Sequence, residues 1–179
     1  MSRRVWIRSL ALLLVGLAVP VRADVVLSVD STMIPAGGTG TMDVWLTSTA
    51  SALSPDQIDN YGFVLQISNN GMDGTQLSFN PNQDFTSVAN SSSYLFYGDS
   101  FGVSGNVTTS LTGYPNDTFT GSDSTTDGNP VSISAGTSYL LASLTLLTAT
   151  GSPPIAGDSF TISLVPTSFS QCWYRGNPG

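Results

Sequence analysis

The chain has 179 residues, with 12 Asp, five Arg, one Cys and no Glu, Lys or His. That length fits a single domain with one hydrophobic core. Without His there is no Ser-His-Asp triad and no imidazole metal site, and without Lys there is no Schiff base. Without Glu, a glycosidase would have to pair two Asp residues, and without a basic footprint nucleic-acid binding is excluded.

Residues 1–23 are predicted to form a cleaved signal peptide. Basic residues precede an apolar run at 10–19, and small or aliphatic residues stand just before Asp24. The apolar run of about ten residues is too short for a membrane span, which needs roughly 20. We expect a secreted protein without membrane insertion after cleavage. Two export routes are compatible with this segment. The leucine-rich apolar run fits the general secretory route, and Ser2-Arg3-Arg4 resembles the signal of the twin-arginine route.

The remainder of the chain is strongly acidic. Residues 24–179 contain one Arg and all 12 Asp, which gives a formal net charge of −11. Such a surface repels nucleic acid and anionic lipid, and it attracts cations. Because Cys172 is the only Cys, no intrachain disulfide can form.

Alternating apolar residues, spaced by two, recur along residues 24–170 with turn signals between them. About nine such segments predict one all-β domain, an antiparallel β-sandwich or jelly roll with cohesin-like or immunoglobulin-like architecture. The residues expected to be buried between its two sheets are Val44, Leu46, Phe63, Leu65, Leu144, Ile162 and Leu164.

Three segments carry more local predictions. Residues 54–58, Ser-Pro-Asp-Gln-Ile, favour a single helical turn capped by Ser54. Residues 94–97 predict an aromatic strand. Residues 98–130 are rich in Gly, Ser, Thr, Asn and Asp, and they predict a long excursion with two weak strands.

The domain resembles the cohesin-like family. The resemblance is carried by the segments at 24–30 (DVVLSVD), 36–46 (AGGTGTMDVWL), 61–67 (YGFVLQI), 77–79 (LSF), 136–146 (GTSYLLASLTL) and 156–164 (AGDSFTISL). It implies a nine-stranded jelly roll, related in architecture to cellulose-binding modules, that binds other extracellular modules. The chain more closely resembles secreted cohesin-like proteins that end in a PEP-CTERM sorting tail than it resembles the dockerin-binding cohesins of cellulosomes.

The C-terminal residues differ from that pattern. Residues 171–179 contain neither the Pro-Glu-Pro motif nor the apolar helix of such a tail, which fits a truncated or frame-shifted end. We expect the strand at 160–164 to lie beside the run at 139–147, because successive strands usually pair. Residues 171–179 make a poor closing strand, so an open sheet edge is expected to permit self-association through that edge or through Cys172.

A calcium site is a first candidate for chemistry. Asp117, Asp123 and Asp127 lie close together in sequence, within a Gly- and Asn-rich segment. Hard carboxylate oxygens are the ligands that Ca²⁺ prefers. The same residues are also ordinary turn formers, and the spacing is not that of an EF-hand.

An aromatic surface for sugar rings is the second candidate. Tyr97 and Tyr114 offer ring faces, and Asp99 offers hydrogen-bond acceptors for hydroxyl groups. Phe96, by contrast, is expected to lie in the core, since alternate aromatics of a strand usually point inward.

These residues predict a secreted, non-catalytic module whose partner is an extracellular protein or a polysaccharide. The alternatives are a carbohydrate-binding module and a purely structural matrix component. An Asp-pair glycosidase is disfavoured, because nothing in the sequence brings two carboxyl groups together in a cleft.

Overall fold

The computed structural model describes residues 25–35, 37–49, 55–69, 77–110, 116–148, 160–165 and 172–174. The predicted signal peptide lies outside these residues. They form ten strands and one short helix: β1 (Val25–Val29), β2 (Thr39–Ser48), β3 (Asp56–Asn69), β4 (Leu77–Phe79), α1 (Phe85–Ala89), β5 (Ser104–Thr108), β6 (Thr118–Ser124), β7 (Val131–Ile133), β8 (Ser138–Thr148), β9 (Phe160–Leu164) and β10 (Cys172–Tyr174).

The strands build two antiparallel sheets around one core, so the predicted all-β sandwich is confirmed. The first sheet has the order β1-β2-β8-β4. Its longest ladder joins β2 to β8, from Thr39 opposite Leu147 to Thr47 opposite Ser138.

The second sheet is organised around β3, which is 14 residues long. Along one edge β3 pairs with β6 and then with β7, and β5 continues the sheet beyond β6. Along the other edge β3 pairs with β9 and then with β10. A single strand thus aligns four others.

The core follows the alternation in the sequence. Five of the predicted core residues are fully buried: Val44, Leu46, Phe63, Leu65 and Leu144. Ile162 and Leu164 are only partly buried and pack against the margin of this core. Their strand lies at the edge of β3, where the two sheets cover it less completely.

The helix prediction at 54–58 is wrong in its described part, because Asp56 begins β3 and pairs with Ile133 of β7. The helix of the structure is α1, whose N-cap is Asp84. The Asp84 carboxylate accepts hydrogen bonds from the backbone N–H groups of Thr86 and Ser87, at 3.1 and 3.2 Å. No helix in the described part of the chain is long and apolar enough to cross a bilayer.

The C-terminal expectations need correction. β9 pairs with β3 in the second sheet and not with β8. Beyond it, β10 pairs with β3 through Cys172 opposite Tyr61 and Tyr174 opposite Ile58. Residues 172–174, which were expected to make a poor closing strand, thus pair along part of one edge of β3. Trp173 and Tyr174 belong to residue types that favour strands, whereas the Gly and Pro residues that disfavour a strand follow them in the sequence.

Candidate functional site

Residues 94–102, here called the aromatic loop, carry the largest exposed rings of the described chain. Tyr97 is 58% exposed and Phe101 is 76% exposed, whereas Tyr94 and Phe96 are buried. The predicted strand at 94–97 is wrong. Successive turns form instead, with hydrogen bonds from Tyr97 N to Tyr94 O and from Asp99 N to Phe96 O. Because of these turns, the ring of Phe96 lies in the core while the ring of the next residue, Tyr97, is exposed to solvent.

The aromatic loop is attached to both sheets. Leu95 N donates to the carbonyl of Leu140 in β8, at 3.0 Å. Phe101 N donates to the carbonyl of Ser124 at the end of β6, at 2.8 Å, and Thr126 N donates to Asp99 O, also at 2.8 Å. The loop backbone is therefore fixed on both sides of its exposed rings.

Asp123 of β6 is the side chain that binds the aromatic loop from its buried side. Alternation along β6 turns Asp123 to the same inner face as Phe119, so the residue is only 7% exposed. Its Oδ2 accepts from the hydroxyls of Tyr94 and Ser100, each at 2.5 Å. Its Oδ1 accepts from the backbone N–H of Gly102 at 3.0 Å and of Ser124 at 2.7 Å. A buried carboxylate with four donors is well satisfied.

The Tyr94 hydroxyl continues this network into the core. It lies 2.9 Å from the hydroxyl oxygen of Tyr61, and the Tyr61 hydroxyl donates to the carbonyl of Leu141 at 2.9 Å. Burial, the neighbouring Tyr61 and the hydrogen bond to Asp123 raise the pKa of Tyr94 far above its ordinary value. The hydroxyl therefore stays protonated and acts as a permanent donor to Asp123.

Two carboxylates flank the exposed rings: that of Asp99, a half-buried residue of the loop, and that of Asp127, an exposed residue after β6. The Asp99 carboxylate accepts from the hydroxyl of Thr126, and the Asp127 carboxylate accepts from the backbone and side chain of Asn129, at 2.8 and 2.7 Å. The hydrogen bonds from Asn129 lower the pKa of Asp127. We call Asp99 and Asp127 the acidic pair.

The three Asp residues predicted to hold Ca²⁺ do not come together. Asp117 is buried at the start of β6 and accepts from the backbone and hydroxyl of Ser110. Asp123 lies six residues further along the extended strand, roughly 20 Å away. Asp127 is exposed in the loop after β6. Among the described residues no group of three or more potential metal ligands is found.

The predicted ligand-binding residues are divided. Tyr97 and Asp99 lie together on the aromatic loop. Tyr114 lies outside the described residues, and its described neighbours Ser110 and Asn116 lie at the opposite end of β6. Sequence reasoning missed Phe101. Its signal is the segment Gly98-Asp-Ser-Phe-Gly102, in which glycines with φ of +81° and +149° bracket the ring.

Exposed rings on a fixed backbone, bordered by carboxylates and hydroxyls, can stack on a ligand and accept its hydrogen bonds. Comparisons with protein-family models, with curated proteins and with solved structures found no match for this chain.

Proposed function

We propose that this chain is a secreted, non-catalytic binding module that acts in extracellular protein or polysaccharide interaction. The observation that carries the proposal is the exposure of Tyr97 and Phe101 on a loop whose backbone is fixed. Such rings bring a large apolar contact area at a low cost in conformational entropy, because the loop is ordered before binding.

The proposal extends to the type of module. A two-sheet antiparallel sandwich with strands at the segments of resemblance supports a cohesin-like domain. A leader with a basic start and a short apolar run supports export. We also propose that the strands are connected as in a jelly roll.

The carbohydrate-binding form of the proposal has a specific observation in its favour. The exposed rings are accompanied by the acidic pair and by Thr126 and Asn129, which are the polar groups that sugar hydroxyls pair with. A purely structural component has no use for two large exposed rings on one ordered loop.

The absence of catalysis is part of the proposal. The acidic pair is placed by neighbouring residues, because Thr126 donates to the Asp99 carboxylate and Asp127 follows Thr126 in the chain. Asp127 is exposed and its pKa is lowered, whereas a catalytic acid requires a pocket that raises its pKa.

The test compares the secreted protein with a Tyr97→Ala/Phe101→Ala variant on a glycan array and against extracellular proteins of its source. A Tyr97→Phe variant is the control, since it keeps the ring. We expect a ligand that binds the native and control proteins and loses at least tenfold in affinity with the double variant. Equal binding by all three would contradict a role for this surface.

A further inference from the structure

The charge of the described chain has one sign. Its ionisable residues that are charged at neutral pH are nine Asp, and its described ranges contain neither Arg nor Lys nor His. A surface with uniform charge raises the local concentration of oppositely charged ligands and repels those of the same sign. Any ligand of the aromatic loop therefore meets a negative potential.

The acidic pair concentrates this charge next to the rings. Asp127 is exposed and Asp99 is half-buried, and Thr126, which directly precedes Asp127, donates to the Asp99 carboxylate. No basic side chain among the described residues compensates their charge. Asp99 separates Tyr97 from Phe101 in the sequence, and Thr126 holds its carboxylate in place. The rings of Tyr97 and Phe101 and the carboxylate of Asp99 thus lie on the aromatic loop. The carboxylate of Asp127 lies on the segment after β6 that is bonded to this loop.

We infer that the aromatic loop and the acidic pair bind a cationic amino-sugar polysaccharide, with the rings of Tyr97 and Phe101 against sugar faces and Asp99 and Asp127 against ammonium groups. The inference rests on the proposed function, and it names the class of ligand. Aromatic rings attract cations as well as apolar sugar faces, so both parts of the surface favour the same ligand.

A sugar polymer fits this surface better than a basic protein does. A stable protein interface covers about 800 Å² on each partner and has an apolar centre. Tyr97 and Phe101 are the only large exposed apolar side chains of the aromatic loop, and Ser, Thr, Asn and Asp surround them. Two isolated rings match successive sugar units better than a continuous apolar patch.

The test uses three hexasaccharides with the same β-1,4 linkage, made of glucosamine, N-acetylglucosamine or glucose. Only the first carries positive charge, so the comparison isolates the ammonium groups. We expect the glucosamine hexamer to bind about five- to tenfold more tightly at low salt. The advantage should shrink at high salt, because exposed charges are screened.

Two variants separate the parts of the surface. Asp127→Asn should lower the affinity for the glucosamine hexamer about threefold and leave affinity for the glucose hexamer unchanged. Asp43→Asn removes the same charge from β2 and is the matched control, which should bind as the native protein does. Tyr97→Ala should weaken binding of all the hexamers. Equal melting temperatures establish that each variant is folded.

Each further outcome decides the inference. Equal affinity for the charged and neutral hexamers overturns it and leaves the proposed function standing. A lysine hexapeptide that binds as tightly as the glucosamine hexamer also overturns it, because charge alone would then suffice. If none of the hexamers binds, the inference fails. The proposed function is then decided separately, by the binding screen on the glycan array and against extracellular proteins.

Discussion

The Tyr94 hydroxyl donates to Asp123 Oδ2 over 2.5 Å, and this bond joins the aromatic core to the exposed loop. Tyr94 lies against Phe96 edge to face, with ring centroids 6.3 Å apart, and Tyr61 stacks on Phe96 with ring centroids 5.7 Å apart. The exposed rings are thus positioned by the same packing that stabilises the fold.

Replacing Tyr94 with Phe should lower the free energy of unfolding by about 1–2 kcal/mol, because Asp123 and Tyr61 each lose a buried partner. Tyr97→Phe removes the same hydroxyl from an exposed ring and should change stability by less than about 0.5 kcal/mol. Urea unfolding of both variants measures the difference. Equal effects would show that the buried hydroxyl network contributes nothing to stability.

Asp123→Asn should cost roughly 2–4 kcal/mol of stability. The amide keeps one acceptor, but its NH₂ group faces the hydroxyls of Tyr94 and Ser100, which can no longer donate to that position. The loss should be the same with Ca²⁺ and with a chelator. A loss seen only with Ca²⁺ present would assign Asp123 to a metal site instead.

Gly121→Ala should destabilise the protein by about 1–3 kcal/mol. A Cβ at this position would stand 2.8 Å from ring atoms of both Phe63 and Phe119, which are themselves buried. Ser28→Ala, at an exposed position of β1, is a control that should be nearly neutral. A melting temperature unchanged by the glycine substitution would mean that the two rings can move apart.

The carboxyl of Asp127 should titrate below the ordinary Asp value of 3.8, because Asn129 donates to its charged form. A lowered folded pKa adds stability that is present above pH 3.8 and is lost as the pH falls through the folded value. Carbon-13 NMR of the side chain gives the pKa directly. In Asn129→Ala the value should rise toward 3.8, and an unchanged value would contradict the assignment.

Period-two alternation was sufficient to predict the sandwich and much of its core. Val44 and Leu144 lie on the long β2–β8 ladder, where one face must be buried and the pattern is therefore unambiguous. The same reasoning could not assign β9 to its sheet. Alternation shows which face is buried, but it does not identify the neighbouring strand.

Local signals failed where long-range pairing competed with them. Ser54 and Pro55 are good helix-starting residues, yet Asp56 is held by β7 and by a hydrogen bond from Ser48. At the aromatic loop, turns replaced a predicted strand because Gly98 adopts a positive φ just after the rings. The exposure of Phe101 depends on these turns, so the alternation of the sequence could not predict it.

The arrangement of β3 has a consequence for how the protein reaches its folded state. Its residues are synthesised early, but their partners in β6, β7, β9 and β10 lie between residues 118 and 174. Until those residues emerge, both edges of a 14-residue strand remain without their native neighbours. Such distant pairing slows folding and exposes the nascent chain to aggregation. Folding of the second sheet is therefore a late event, completed only after residues 172–174 have been made.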